Sequence, residues 1–166
     1  KTGLVDWVSN PYFPGTQTYY TFYTYDSLQR KSTVTSPDGV VTSFNYEKKQ
    51  VTTTIVAGDE TRIKMNKLDA GGRIVCSQDL VNNISVFNNY YSNGLLKETW
   101  TDADENSKIS YFYDIFGNLD TIIDPNMGMT VKTYNVFGEI ISETDSNNHT
   151  SVFEYDLLGR LTTRFE

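Results

Sequence analysis

One cysteine, four prolines and a single histidine in 166 residues exclude several protein classes at the outset. The lone thiol, Cys76 in "GRIVCSQD", has no partner for an internal disulfide, so the fold is not covalently stapled. It reads as a small hydrophobe in the interior, not as a redox or catalytic group. His149, in the turn "SNNHT", leaves any transition-metal site short of ligands. Lys and Arg total 14 against 21 Asp and Glu, a net charge of −7. No basic run neutralises phosphates, which argues against nucleic acid and anionic membrane as partners. No apolar stretch has the length of a membrane span or the pattern of a signal peptide. No segment sustains helical periodicity between capping signals. G-x-S-x-G, P-loop and dinucleotide fingerprints are missing too.

Aromatics, by contrast, are abundant at 14%, with 12 Tyr and 9 Phe, and Thr, Val and Ile share their segments, which favours β-structure. The tyrosines are periodic. Taking Tyr113 in "YFYDIFGNLD" as reference, equivalent slots hold Tyr25, Tyr46, Leu68, Tyr90, Tyr113, Tyr134 and Tyr155, at intervals of 21 to 23 residues. The next slot holds Asp26, Glu47, Asp69, Tyr91, Asp114, Asn135 and Asp156. Four residues after the tyrosine come Gln29, Gln50, Gly72, Gly94, Gly117, Gly138 and Gly159.

Asp or Asn opening a turn and Gly closing it predict a type I turn with a glycine bulge between two strands. The carboxylate accepts from an N–H two residues on, and glycine tolerates positive φ. Around the slots, polar residues such as Thr24, Asn45 and Glu154 alternate with aromatics such as Tyr23, Phe44 and Phe153. That period of two predicts strands with one covered face. Phe112 and Lys132 depart from it. A second, looser turn follows half a repeat later, at "SPDG", "AGDE", "DLVNN", "DADEN", "DPNMG" and "DSNNH". Gly3 fits a further glycine slot if "NPYFPGT" is an insertion. The chain opens inside one unit and closes inside another, so residues 1–166 are expected to be one repeat segment of a longer protein.

The units "YFYDIFGNLDTIIDPNMG", "YNVFGEIISETDSN" and "YDLLGRLTTR" resemble the tyrosine–aspartate (YD) repeats of the Rhs family, over seven successive units from Gly3 onward. Together with the early "YTYDSLQRKSTVTSPDG", they are most similar to the shell-forming B component of bacterial insecticidal toxin complexes and to related secreted or wall-associated proteins. The resemblance implies an all-β strip of tandem hairpins, a twisted antiparallel sheet forming part of a spiral shell. It also implies a bacterial, secreted or cell-surface parent chain, with an enclosed toxic polypeptide or other toxin-complex subunits as partners. The structural repeat residues would be Tyr25, Asp26, Tyr46, Asp69, Gly72, Tyr90, Gly94, Tyr113, Asp114, Gly117, Tyr134, Gly138, Tyr155, Asp156 and Gly159. Gln29, Gln50 and Leu68 depart from the pattern, and altered first turns are expected in their units. The family's self-cleaving segment has no counterpart, so no protease residues carry over.

Asp114 with Asp124, or Asp102 with Asp104, could do acid–base work if a cleft held them together, but turn geometry already accounts for each. "DADENSKISYFY" has Asp102, Asp104 and Asn106 at calcium-loop spacing, yet Ser107 and Tyr113 stand where that loop needs Gly and Glu. Asn83 and Asn148 head glycosylation sequons, which matter only in a eukaryotic secretory pathway. The expectation is a non-enzymatic segment without cofactor or metal. The alternative is a surface module that binds glycan or a partner protein through exposed aromatics.

Overall fold

The computed structural model describes residues 3–11, 13–102 and 104–166, and for Asp104 and Glu105 the backbone alone. The described residues form fifteen β-strands and no helix, as the period-two alternation predicts. They divide into two compact units, Lys1–Ser85 and Val86–Glu166.

In the first unit, β1 (Trp7–Ser9), β2 (Tyr20–Tyr25), β3 (Lys31–Thr35), β4 (Val41–Glu47), β5 (Gln50–Ala57), β6 (Glu60–Leu68) and β7 (Ile74–Asp79) form a meander. Each strand pairs antiparallel with the next. The second unit is built the same way from β8 (Ile84–Tyr90), β9 (Leu96–Thr101), β10 (Asp104–Tyr113), β11 (Leu119–Asp124), β12 (Gly128–Tyr134), β13 (Ile140–Thr144), β14 (Thr150–Tyr155) and β15 (Leu161–Phe165).

Within each unit the paired strands follow one another as hairpins, and those at the tyrosine slots, β4–β5 excepted, share one irregularity. The register shifts by a residue at Thr24/Tyr25, Lys67/Leu68, Asn89/Tyr90, Phe112/Tyr113, Thr133/Tyr134 and Glu154/Tyr155. This is the bulge that a type I turn needs to match the right-handed twist of its strands. The hairpin of β4 and β5 has none: Glu47 pairs with Gln50 across Lys48 and Lys49. Lys48 is at φ 50°, so one positive φ falls at the first central position, as in a II′ turn.

The expectation of altered turns therefore holds at Gln50 and fails at Gln29 and Leu68. Gln29 adopts φ 63° and takes the glycine's part in an unchanged bulged turn. The left-handed conformation costs a non-glycine residue energy without being forbidden to it. Leu68 lies outside the four-residue turn, whose chemistry resides in Asp69, Gly72 and Arg73. Two of the half-repeat turns are also tighter than expected. Ser36–Val40 and Asp145–His149 close with the same pair of backbone hydrogen bonds as the first turns.

Little of the chain is fully covered. Met65 and Cys76, diagonal neighbours on β6 and β7, are buried, as is Ser85. All seven tyrosine-slot side chains are half-buried.

Candidate functional site

The repeated hairpin recurs with the same atoms. Its turn is closed by a side chain. At Asp26, Oδ1 accepts from the N–H groups of Leu28 (2.9 Å) and Arg30 (2.9 Å), while Oδ2 accepts from Arg30 Nε at 2.7 Å. The backbone completes the ring: Gln29 N–H donates to Asp26 O (3.0 Å) and Asp26 N–H to Arg30 O (2.8 Å). Asp69 repeats this with Gly71 and Arg73, and Asp156 with Leu158 and Arg160.

The residue after the glycine is thus half of a pair. In the fifth unit Asn118 supplies the donor, its Nδ2 2.9 Å from Asp114 Oδ2. In the sixth the polarity is exchanged, with Asn135 Nδ2 donating to Glu139 Oε2 at 2.5 Å. Where the slot holds Tyr91 no such acceptor exists, and Asn93 Oδ1 caps the turn instead by accepting from Leu95 N–H at 3.1 Å.

These bonds set the state of the carboxylates. The Arg30 N–H holds the Asp26 carboxyl below the usual range, as the Arg73 N–H does for Asp69. The side chains of Asn118 and Arg160 do the same for Asp114 and Asp156. An anion with both oxygens engaged is a poor proton acceptor.

The tyrosines join one repeat to the one before it. Tyr25 Oη–H donates to Val5 O at 2.8 Å, Tyr46 to Lys31 O at 3.0 Å, Tyr134 to Leu119 O at 2.6 Å and Tyr155 to Ile140 O at 2.9 Å. In each case the acceptor lies two residues past the glycine slot of the preceding unit. Val5 stands two residues past Gly3, which is at φ 71°, so the earliest unit obeys the same rule across its insertion. The hydroxyls of Tyr46, Tyr134 and Tyr155 each satisfy a carbonyl beside the preceding bulge, where the ladder is locally interrupted. Tyr113 instead meets Tyr91 edge-on, at 6.2 Å between ring centroids. Burial raises the hydroxyl pKa of Tyr113 and of Tyr134, with neighbouring tyrosines adding to the shift for Tyr113 and nearby carboxylates for Tyr134.

The other candidates do not converge. Asp114 opens the turn before β11 and Asp124 ends that strand, whose length of about 17 Å separates them, and Asp124 Oδ1 accepts from the N–H groups of Asn126 and Met127. Asp102 is exposed, while Ala103 and the side chain of Asp104 lie outside the described residues. His149 Nδ1 is 3.4 Å from Asp145 Oδ2 within its own turn. No group of three or more His, Cys, Asp or Glu able to hold a metal occurs among the described residues. Cys76 is free and buried. Asn83 and Asn148 occupy left-handed turn positions, at φ 52° and 64°.

Two features were not read from the sequence: the pairing that selects Arg or Asn after the glycine, and the carbonyls that receive the hydroxyls of Tyr25, Tyr46, Tyr134 and Tyr155. The first was legible in principle. Asp–Arg, Asp–Asn and Asn–Glu combinations recur at a separation of four, always one acceptor with one donor.

Residues 134–164 match the family model described as RHS Repeat. Three solved structures share the fold. TcdB2–TccC3 without its hypervariable C-terminal region aligns with a TM-score of 0.75 at 20% identity. TcdB2–TccC3 gives 0.74 at 20%, and the Tc holotoxin pore of Photorhabdus luminescens gives 0.73 at 19%. Each alignment covers 89% of this chain and 9% of the other, so the chain spans about a tenth of the proteins it matches. No curated protein matches it.

Proposed function

We propose that this chain, an Rhs-repeat segment with the fold of the TcdB2–TccC3 assemblies, is a wall segment of a hollow β-shell that encloses a toxic or effector polypeptide. The reading assigns it no catalysis. The parent chain is a secreted or cell-surface bacterial protein, and its partners are the rest of that chain, the enclosed polypeptide and other toxin-complex subunits. The observation that carries it is the clasp from Tyr25, Tyr46, Tyr134 and Tyr155 to the preceding repeat. It depends only on adjacent units, so the strip can be extended by adding units without altering those present.

The test is limited proteolysis of the full-length protein that carries this segment. Protection of an internal polypeptide, lost when Tyr25, Tyr46, Tyr134 and Tyr155 are changed together to Phe, supports the reading. An internal polypeptide digested as fast inside the assembly as in isolation overturns it.

A second reading, a module for glycans, is favoured by one local feature. Trp7, Tyr20 and Phe22 are exposed and adjoining on β1 and β2, with ring centroids 5.1 Å apart for Trp7–Tyr20 and 6.2 Å for Tyr20–Phe22. Aromatic faces of this kind suit sugar rings. Glycan-array binding abolished by Trp7→Ala would support it, and an array showing no binding would dismiss it.

A further inference from the structure

The tips of the last three tyrosine-slot hairpins are apolar and bare. Ile115 and Phe116, Val136 and Phe137, and Leu157 and Leu158 are the two central residues of consecutive turns, with exposures from 77% to 105%. Turn geometry does not ask for this. The equivalent pairs Ser27–Leu28, Ala70–Gly71 and Ser92–Asn93 close three turns of the same type with small or polar residues in five of six places.

The three tips form one rim. A Cβ built on Gly138 would lie 3.8 Å from Asn118 Oδ1 of the preceding tip, and one on Gly159 would lie 2.8 Å from Glu139 Oε1. Strand spacing puts successive tips about 9.6 Å apart. The turns at the other ends of these strands, Pro125–Met127 and Ser146–Asn147, offer one large apolar side chain, Met127.

We propose that this rim is a self-association surface, on which a second copy of the chain packs tip to tip about a two-fold axis through the Val136–Phe137 turn. Six nearly bare large side chains in one row make an apolar patch at least on the order of the few hundred Å² that a monomer ordinarily leaves uncovered, the kind that marks an interaction site. Equal spacing lets the three tips meet three tips. The two-fold sets Phe137 against Phe137 and the Ile115–Phe116 tip against the Leu157–Leu158 tip. Charge favours that direction over a parallel one: the first tip carries Asp114 paired with neutral Asn118, and the third carries Arg160, largely exposed while it binds Asp156, whereas Glu139 of the central tip meets its own copy in either direction. A parallel arrangement would set Asp114 against Asp114.

The experiment is sedimentation equilibrium of the whole chain and of a variant with Ile115→Ser, Phe116→Asn, Val136→Ser, Phe137→Asn, Leu157→Ser and Leu158→Asn. These changes give the last three turns the Ser–Asn pair that already closes the turn at Ser92–Asn93, so far-UV circular dichroism should be unchanged. A parent dimer and a monomeric variant are expected. In a Cys76→Ala background, Phe137→Cys alone should form an intermolecular disulfide, whereas Phe116→Cys should do so only with a Leu158→Cys partner. A monomeric parent overturns the proposal. So does a polar-tip variant that still dimerises, since the contact would then lie away from the tips.

Discussion

At Asp156 one carboxylate oxygen holds the turn and the other holds Arg160. Asp26, Asp69, Asp79, Asp114, Asp145 and Asp156 all titrate below the ordinary carboxylate value in the folded chain. A depressed folded pKa contributes stability that is complete above the unfolded value and lost as pH falls through the folded one. The melting temperature should therefore stay level from neutrality to about pH 5 and fall below about pH 4. The fall should be shallower in Asp156→Asn, as read by circular dichroism melts across that range. Tyr134→Phe deletes one hydroxyl whose acceptor, Leu119 O, sits beside a bulge; denaturant melts should show a loss of about 0.5–1.5 kcal/mol. Tyr113→Ala removes a half-buried ring packed edge-on against Tyr91, and a loss of about 1–3 kcal/mol is expected. A variant that melts with the parent would mean that this ring does not hold the strip.

At the scale of the hairpin, the position closing the turn is a backbone requirement before it is a side-chain one. Gln29 meets it under strain, so Gln29→Gly should stabilise by about 0.5–1 kcal/mol in denaturant melts. Gly159→Ala should destabilise for two reasons: φ is 74°, and the new methyl would fall 2.8 Å from Glu139 Oε1, on a carboxylate whose other oxygen, Oε2, is held by Asn135. The period, the bulged turn and the strand pattern were legible in the sequence because each depends on residues within a few positions of one another. Leu68 misled for the same reason. It breaks the tyrosine pattern yet leaves its turn intact, since Asp69 and Arg73 carry the closure.

For the whole chain, the scarcity of buried side chains shifts stability from a thick core to ladders, bulge-capping hydroxyls and half-buried rings. Units held by nearest-neighbour terms lose stability locally, so the single-residue changes above should act most strongly on adjacent hairpins. Hydrogen exchange would read this: Tyr134→Phe should speed exchange in β11 and β12 more than in β2 and β3. A uniform increase along the chain would point to one cooperative block.

The sequence by itself determined the all-β class, the spacing of the units and the chemistry of their turns, because a turn is closed by residues four apart and needs nothing from further along the chain. Only the tertiary structure decided that the hydroxyls of Tyr25, Tyr46, Tyr134 and Tyr155 reach carbonyls fifteen or twenty residues earlier, and that Ile115, Phe137 and Leu158 stand bare on a common rim. Both depend on which strands lie side by side and where their tips fall, and strand register in space is not carried by any local pattern.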